Sequence, residues 1–205
     1  MSQDLSDFSY HTPITPELFA EQMAVKEKLY DFNALRPSDH ESQAALLNDL
    51  LGSHNGAHIV APFYCDMGKN IHFKLGGFLN AGVKILDMAP VTFGERVLIG
   101  PNVVISTASH PLTLAERVLP VAPANPIAIG DNVWIGAGAV ILDGVTIGDR
   151  AVIGAGSVVT KDIPADVLAV GNPCKVIRTI EQPPLPSDEA LDEMWRPVIE
   201  MFGEM

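Results

Sequence analysis

A six-residue repeat in the second half of the chain limits the possible folds more strongly than any other property of the sequence. An aliphatic residue recurs at every sixth position, and a compact residue lies four positions after it. The aliphatic positions are Ile129, Ile135, Ile141, Ile147, Ile153 and Val159, and the compact positions are Val133, Ala139, Val145, Ala151 and Ser157. The aliphatic positions keep one register without a gap.

The same spacing extends upstream of this main repeat. Further apolar positions are Phe93, Ile99 and Ile105, with Val97 and Val103 in the compact places. The spacing also holds for an earlier set that lies two residues out of phase, namely Phe73, Leu79 and Ile85. We therefore expect a small bulge or insertion between Ile85 and Phe93.

A period of six fits neither a helix of 3.6 residues per turn nor a simple alternating strand. It predicts a triangular solenoid over residues 57–180, in which each hexapeptide forms one short strand and one corner. Three hexapeptides form a coil of about 18 residues, and successive coils stack about 4.8 Å apart as parallel strands. An ordinary β-sandwich with chance periodicity is the alternative, and the unbroken register argues against it.

The N-terminal segment, residues 1–56, is expected to be helical. Thr15 followed by Pro16 fits an N-cap before a proline in the first helical turn. This helix is expected to run to about Leu35. Its expected apolar face consists of Leu18, Phe19, Met23, Leu29 and Tyr30.

Two further helices are expected from their capping patterns. Ser38 with Glu41 forms a capping box, and Gly52 suits the end of the helix that follows. Ser187, which follows the proline-rich stretch QPPLP, is expected to cap a helix in the C-terminal tail, residues 181–205. The apolar positions of that helix are Leu191, Met194, Trp195, Val198, Ile199 and Phe202.

One long stretch, STASHPLTLAERVLPVAPANP, interrupts the repeat. Ile105 and Ile129 lie 24 residues apart, which is four hexapeptides, so the stretch could hide one degenerate coil. Its prolines and its lack of glycine instead favour a loop extruded from the solenoid at about 107–126. His110 lies at the start of that loop.

Composition excludes several classes of function. The net charge of −12 argues against a nucleic acid as the main partner. No apolar stretch approaches the roughly 18 residues of a membrane span, and the N-terminus lacks the pattern of a signal peptide. The two cysteines, Cys65 and Cys174, are too few for a disulfide framework. The sequence therefore predicts a reduced cytoplasmic protein that binds neither nucleic acid nor membrane.

Five motifs follow one another in a specific order. They are FLNAGVKILD at 78–87, TASHP at 107–111, PIAIGDNVWIGAGAVI at 126–141, VIGAGSVVTKDIP at 152–164 and GNPCKVIR at 171–178. This ordered set resembles the hexapeptide-repeat acyltransferases, and within them the maltose and galactoside O-acetyltransferase branch. The resemblance implies a mainly β protein built on a left-handed parallel β-helix. It also implies a homotrimer, with acetyl-CoA bound in the groove between neighbouring subunits.

The reaction implied by the resemblance is the transfer of acetyl from acetyl-CoA to a hydroxyl of a sugar or related small molecule, without a metal. A hydroxyl is a weak nucleophile, so a base must take its proton as the oxygen attacks the thioester carbonyl. A neutral imidazole can act as that base. His110 lies in TASHP, at the start of the interruption, and is the expected catalytic base. The resemblance suggests that a backbone N–H near Gly136 and Ala137 stabilises the oxyanion.

The resemblance also assigns residues to the two substrates. For the acceptor it implies Asn80, Asp87, Phe78, Asp66 and Trp134. For the coenzyme it implies Trp134, Ala137, Ala155, Gly156, Thr160, Lys161, Lys175 and Arg178. Small residues would let the pantetheine arm lie close to the backbone, and basic residues suit the phosphates. Asn80 and Asp87 could equally be corner residues, since Asn and Asp are typical of turns.

Other functions remain open from the sequence alone. The apolar part of the interruption fits a xenobiotic acetyltransferase that acts on an antibiotic of the streptogramin or chloramphenicol type. A metal-dependent hydratase on the same solenoid needs three histidine ligands, and the histidines here form no HxxxxH pair. A non-catalytic solenoid would not need His110. A route through an acyl-cysteine is disfavoured because neither cysteine lies in the histidine motif.

Overall fold

The computed structural model describes residues 4–187, 189–191, 193, 194 and 196. Its helical elements are a short 3-10 turn (Leu5–Asp7), α1 (Pro16–Ala34), α2 (His40–Leu50) and α3 (Leu114–Arg117). Its strands are β1 (Tyr10–Pro13), β2 (His58–Ile59), β3 (Tyr64–Cys65), β4 (Ile71–Leu75), β5 (Phe78–Leu79), β6 (Lys84–Leu86), β7 (Val91–Glu95), β8 (Leu98–Ile99), β9 (Val104–Ser106), β10 (Val121–Ala124), β11 (Ile127–Ile129), β12 (Trp134–Ile135), β13 (Val140–Ile141), β14 (Thr146–Ile147), β15 (Val152–Ile153), β16 (Val158–Val159), β17 (Val167–Val170) and β18 (Lys175–Thr179). In this described part of the chain, no helix is long and apolar enough to cross a bilayer.

Most strands stack in three columns of parallel strands, which form the faces of a triangular β-helix. The first face consists of β4, β7, β11 and β14. The second face consists of β2, β5, β8, β12, β15 and β17, and β18 extends it in the antiparallel direction. The third face consists of β3, β6, β9, β13 and β16. The solenoid predicted from the six-residue repeat is therefore confirmed.

The repeat residues form the core of this solenoid. Each aliphatic position from Ile129 to Val159 is at most 3% exposed, and the compact positions four residues later are buried as well. Ser157 satisfies its buried hydroxyl by donating to the Gly154 carbonyl at 2.6 Å and accepting from the Gly171 N–H at 3.1 Å. Each buried isoleucine contributes about 1.5–3 kcal/mol through the removal of apolar surface from water.

The N-terminal helices close one end of the solenoid. The buried residues of α1 and α2 belong to the same apolar core as the coils; they are Val25, Leu29, Phe32, Leu47 and Leu50. The Asn33 side chain fastens α1 to the first coil. It donates to the Phe63 carbonyl at 3.0 Å and accepts from the Phe63 N–H at 2.8 Å.

The first helix matches its predicted ends but not its predicted apolar face. Thr15 caps α1 by accepting from the Leu18 N–H at 3.3 Å. Phe19, Met23 and Tyr30, however, are 61%, 55% and 73% exposed. The prediction of these three as core residues was wrong, because α1 buries only the narrow stripe of Val25, Leu29 and Phe32.

The second helix begins one residue later than its capping pattern predicted. The cap is Asp39 rather than Ser38, and its carboxylate accepts from the Ser42 N–H at 3.2 Å. Gly52 does not end the helix through a left-handed turn. A Cβ atom at Gly52 would lie 2.3 Å from the Lys69 carbonyl oxygen, so close packing is what requires glycine there.

The C-terminal tail is described only in part. The Ser187 hydroxyl accepts from the Ala190 N–H at 3.3 Å, as expected for a cap. Residues 189–191, 193, 194 and 196 are helical. The predicted apolar positions Trp195, Val198, Ile199 and Phe202 lie outside the described residues.

Three successive connections from the third face to the first face form the irregular part of the solenoid, which we call the third corner. It comprises residues 66–70, 87–90 and 107–126. Across the second of these connections, Ile85 and Phe93 are eight residues apart instead of six, which is the predicted insertion. The first connection carries the same insertion, between Cys65 and Phe73, and the sequence analysis missed it.

The third connection is the long interruption of the repeat. The columns stop at Ser106 and resume at Ile127. The residues between them include α3 and β10, and β10 pairs antiparallel with β1 rather than with a strand of any face. A degenerate coil would have placed strands in the columns here, so this stretch lies outside the stack.

Candidate active site

A groove of about 600 Å³ runs along the second face. One outward side chain from each successive coil lines it; these are Phe78, Leu98, Trp134, Val152 and Leu168, which pair in register across the strands. The corner next to the row adds further lining, including Asn80, Gly100, Pro101, Gly136, Ala137, Gly154 and Ala155. The groove therefore brings together five of the predicted site residues, Phe78, Asn80, Trp134, Ala137 and Ala155.

Small residues keep the floor of the groove at the level of the backbone. A Cβ atom at Gly136 would lie 2.6 Å from the Ala155 backbone nitrogen, so only glycine allows this stacking. Ala137 and Ala155 are exposed on this floor, and Trp134 is 53% exposed beside them. Within the described residues, the N–H of Ala137 donates no hydrogen bond. It is thus a backbone donor available to a ligand in the groove.

His110 lies at the third corner, and the lining of the groove does not include it. Its ring is exposed, but the backbone that leads to it is firmly held. The buried Thr107 hydroxyl donates to the Leu86 carbonyl at 2.8 Å and accepts from the Ala89 N–H at 3.0 Å. These contacts tie the start of the loop to the preceding coil.

The other side of the loop supports the same segment. The N–H of Ser109 donates to the Pro123 carbonyl at 3.1 Å, and the N–H of Asn125 donates to the Thr107 carbonyl at 3.0 Å. The Asn125 amide also bonds Asp143 at 3.1 Å and accepts from the Ser9 N–H at 2.9 Å. His110 therefore projects from a backbone that is braced by β10, by the solenoid and by the N-terminal segment.

Asp87 is fully buried at the third corner. Its Oδ1 accepts from the N–H groups of Asp66 and Met67 at 3.0 and 2.9 Å, whereas its Oδ2 has no partner among the described residues. Burial raises the pKa of Asp87 to about 6, against the opposing effect of these hydrogen bonds. Burial also raises the pKa of the neighbouring Asp66. Two predicted acceptor residues thus adjoin each other, near the root of the His110 loop.

Asn80 occupies the corner of its own coil. It is half-buried, and its side-chain oxygen accepts from the Ala81 N–H at 2.8 Å, as a turn residue does. The same residue lines the groove next to Phe78. Asn80 is therefore a corner residue whose side chain stabilises the turn, and it also faces the groove.

The predicted phosphate-binding residues lie towards the opposite end of the solenoid. Lys175 and Arg178 belong to β18, and Arg178 pairs across the sheet with Leu168, which lines the groove. Thr160 is half-buried and Lys161 is exposed, directly after β16. Among the predicted cations, Arg178 is thus the one that is paired with a residue of the groove lining. Like Arg178 itself, the other predicted residues lie outside the lining of the groove; they are Gly156, Thr160, Lys161 and Lys175.

Several lining residues were missed in the sequence, although a signal was present. Leu98, Val152 and Leu168 each lie one position before an axial residue of the second face, as Phe78 and Trp134 do. Selecting that position in every third hexapeptide would have found the whole row. No pattern in the sequence indicated that Thr107 anchors the His110 loop, because its hydrogen-bonding partners lie in the preceding coil.

Neither cysteine has the lowered thiol pKa of an activated nucleophile. Cys65 is buried, and burial raises the pKa of its thiol well above the usual range. Burial also raises the pKa of the Cys174 thiol. A thiol with a raised pKa holds little nucleophilic thiolate at neutral pH. Across the described residues, no group of three or more His, Cys, Asp or Glu side chains could hold a metal ion.

Two sequence families match the chain. The family described as bacterial transferase hexapeptide (six repeats) matches residues 126–161. The maltose acetyltransferase hexapeptide capping motif matches residues 9–56, which include the helices that close the solenoid. Both matches agree with the resemblance found in the sequence.

Named relatives and solved structures extend this likeness over most of the chain. The galactoside O-acetyltransferase of Escherichia coli is 44% identical over 76% of this chain and 77% of its own. The maltose O-acetyltransferase structure from Clostridium difficile has a TM-score of 0.75 at 39% identity, covering 82% of this chain and 90% of its own. The hexapeptide-repeat acetyltransferase VCA0836 of Vibrio cholerae, solved with acetyl-CoA, has a TM-score of 0.74 at 37% identity, covering 82% and 91%.

Proposed function

Because the chain belongs to the hexapeptide-repeat acetyltransferases that carry the maltose acetyltransferase capping motif, we propose that it transfers acetyl from acetyl-CoA to a hydroxyl of a sugar or a related small molecule. Relatives named galactoside and maltose O-acetyltransferases support this class of acceptor. A structural relative solved with acetyl-CoA supports the donor. A cytoplasmic location stays a prediction from the sequence.

The groove on the second face is the proposed site of the coenzyme. Its apolar lining and its floor of exposed Ala137 and Ala155 fit the narrow pantetheine arm. Arg178 adjoins the groove through its pairing with Leu168 and would bind a phosphate. Thr160, Lys161, Lys175 and Gly156 are proposed to contact the more distant parts of the coenzyme, beyond the lining of the groove.

His110 is the proposed general base. It would accept the proton of the attacking hydroxyl as the new C–O bond forms at the thioester carbonyl. The Ala137 N–H would donate to the oxyanion of the tetrahedral intermediate. Collapse of that intermediate breaks the C–S bond and releases CoA, whose thiolate takes the proton back from the imidazolium. No covalent enzyme intermediate is needed, in keeping with the raised pKa of Cys65.

One observation carries this proposal: the groove and the exposed His110 lie on different parts of one chain. A second copy of the chain would bring its His110 loop to the groove, and a closed ring of three copies would complete three equivalent sites. The braced backbone around His110 suits this role, because a base must be held within hydrogen-bonding distance of the reacting hydroxyl. A homotrimer with shared sites is therefore part of the proposal.

The acceptor is proposed to bind between Phe78 and Asn80 of the groove and the third corner of the adjoining copy. Asp87 and Asp66 would accept hydrogen bonds from sugar hydroxyls there. The Asp87 Oδ2, buried and without a partner among the described residues, is a carboxylate oxygen that a donor could satisfy. Trp134 would lie where the two substrates meet.

An apolar xenobiotic is the second candidate acceptor, and one observation favours it. The loop after His110 exposes Leu112, Leu114, Val118 and Leu119, which are 58%, 66%, 68% and 46% exposed. These side chains would offer an antibiotic an apolar wall. Sugars and antibiotics of the streptogramin and chloramphenicol types therefore belong in one acceptor panel.

The direct test is the release of free CoA from acetyl-CoA across that panel, with His110→Ala measured in parallel. We expect a sugar to be the best acceptor. Loss of the base should lower kcat by about 10²- to 10⁴-fold while the oligomer and the melting temperature persist. Unchanged turnover in His110→Ala would overturn the assigned base, and turnover with antibiotics alone would replace the sugar as acceptor.

A further inference from the structure

An N-terminal strap, residues 4–14, lies along the loop that carries His110. Its strand β1 pairs antiparallel with β10, the strand in which the loop returns to the solenoid. At the end of the strap, the N–H of Ile14 donates to the Pro120 carbonyl at 3.0 Å. Phe8 is the buried side chain of the strap, at 4% exposure. The strap is therefore packed into the fold, although it lies outside the columns of the solenoid.

Strand β10 lies between the strap and the segment that leads to His110. On the side away from the strap, Ala124 forms an antiparallel bridge with Ala108. The N–H of Ser109, the residue before the histidine, donates to the Pro123 carbonyl at 3.1 Å. The strap, β10 and the segment before His110 thus run side by side. A displacement of β10 would therefore move the backbone from which the imidazole projects.

Asn125 follows β10 directly and joins these segments to the solenoid. Its backbone N–H donates to the Thr107 carbonyl at 3.0 Å. Its side-chain oxygen accepts from the Ser9 N–H at 2.9 Å, and its amide nitrogen donates to the Asp7 carbonyl at 3.2 Å. The same nitrogen donates to the carboxylate of Asp143 at 3.1 Å. Asp143 belongs to the connection between β13 and β14, so one side chain links the strap to a coil of the solenoid.

We propose that Asn125 is a positioning residue for the acetyl transfer, which fixes the place of His110 by tying the strap and the loop to the solenoid. This inference rests on the proposed function and adds how the position of the base is set. The lining of the groove does not include Asn125, so it acts through the loop and not on the coenzyme. Misplacement of a reacting group by about 1 Å can cost roughly 10²-fold in rate, so kcat reports a small displacement of the loop.

The test is an exchange of the two side chains that bond each other. Asn125→Asp keeps an acceptor for the Ser9 N–H but places a second carboxylate against Asp143, and two like charges at this distance repel. We expect kcat to fall about tenfold, whereas KM for acetyl-CoA and the oligomeric state stay unchanged. Combining Asn125→Asp with Asp143→Asn restores a donor and an acceptor to the pair and should recover most of the lost kcat.

Asp39→Ala is the control for a loss of stability alone. Asp39 caps α2 by accepting from the Ser42 N–H, and it belongs neither to the groove nor to the third corner. This variant should lower the melting temperature and leave kcat unchanged, when both are compared at a temperature at which every variant is folded. An equal loss of kcat in Asp39→Ala would overturn the positioning role, because lowered stability would then explain the effect.

Two further outcomes separate this inference from the proposed function. Unchanged kcat in Asn125→Asp, or a loss that the exchange with Asp143 does not recover, would overturn the positioning role and leave the proposed function standing. A wild type that acetylates no sugar, or a fully active His110→Ala, would overturn the proposed function, and the positioning role with it.

Discussion

Residues 127–159 and the third corner belong to the same solenoid but follow opposite rules. In residues 127–159, every sixth residue points to the axis and the corners repeat with little variation. At the third corner, three successive connections depart from that spacing. Asp66, Asp87, Thr107 and His110 all lie there. The regular coils thus supply a rigid frame, and the departures from it hold the polar groups that the proposed chemistry needs.

The largest expected effect on stability comes from the regular coils. Ile141 is fully buried on the third face, away from the groove. Ile141→Ala should lower the free energy of unfolding by about 2–5 kcal/mol, because it leaves a cavity in a core that cannot collapse. Denaturant unfolding measures this change, and Ile141→Val, which should cost about 0.5–1.5 kcal/mol, is the graded control. A large loss of kcat in Ile141→Ala, with unchanged stability, would contradict the separation between a structural core and the active site.

The next effect concerns a carboxylate at the third corner. Burial raises the pKa of Asp87 from the ordinary value of 3.8 to about 6 in the folded protein. The folded state therefore keeps a proton that the unfolded chain releases, and this contribution to stability is lost as the pH rises from about 4 to about 6. Asp87→Asn has no carboxyl group that titrates, so it does not lose stability in this way as the pH rises. Its stability relative to the wild type should rise across that window by an amount on the order of 2–3 kcal/mol.

Asp131, in the regular coils, is the matched control, because its pKa is shifted in the opposite direction from that of Asp87. The Glu95 N–H, with help from Lys74, lowers the pKa of Asp131. Its contribution is present at neutral pH and is lost as the pH falls through the lowered pKa. Asp131→Asn should therefore destabilise the protein near pH 7 and lose that effect in acid. Parallel pH profiles for the two variants would contradict the contrast between the two regions.

A smaller effect is expected at the root of the His110 loop. Thr107→Val keeps the shape of the side chain but removes the hydroxyl that bonds Leu86 and Ala89. The unpaired groups should cost about 1–3 kcal/mol. We also expect kcat to fall several-fold, because His110 loses an anchor. Thr146→Val, at an exposed threonine of β14, should change stability by less than about 0.5 kcal/mol. Equal effects of the two substitutions would show that the hydroxyl of Thr107 anchors nothing.

The sequence revealed the regular coils almost completely, because a period of six leaves one plausible place for each repeated side chain. Ile85 and Phe93 even disclosed the insertion between them. The equivalent insertion after Cys65 escaped notice because the first coil has too few repeats to establish a phase. The apolar face of α1 was misjudged for another reason. The helix contacts a narrow solenoid, so Phe19, Met23 and Tyr30 stay exposed although their spacing is that of a core face.

The candidate site was less accessible to sequence reasoning. The resemblance supplied His110, Asn80 and Asp87 as site residues, but it could not supply their surroundings. The support of His110 depends on Thr107, whose partner Leu86 is 21 residues distant and adjacent only through the stacking of coils. The Asp87 Oδ2, which has no partner within the described part of the chain, is likewise a result of packing. Such contacts follow from three-dimensional proximity, which no local pattern encodes.

The central claim is that each active site combines the groove of one copy with the His110 loop of another. Co-expression of His110→Ala with the groove-filling variant Ala155→Phe tests it most directly, since each variant alone should be inactive. In randomly mixed trimers, one copy can lend its His110 to the intact groove of its neighbour, and about a quarter of the wild-type activity should return. Recovery of no activity from mixed trimers, with both single variants still trimeric, would contradict the claim and place the whole site within one chain.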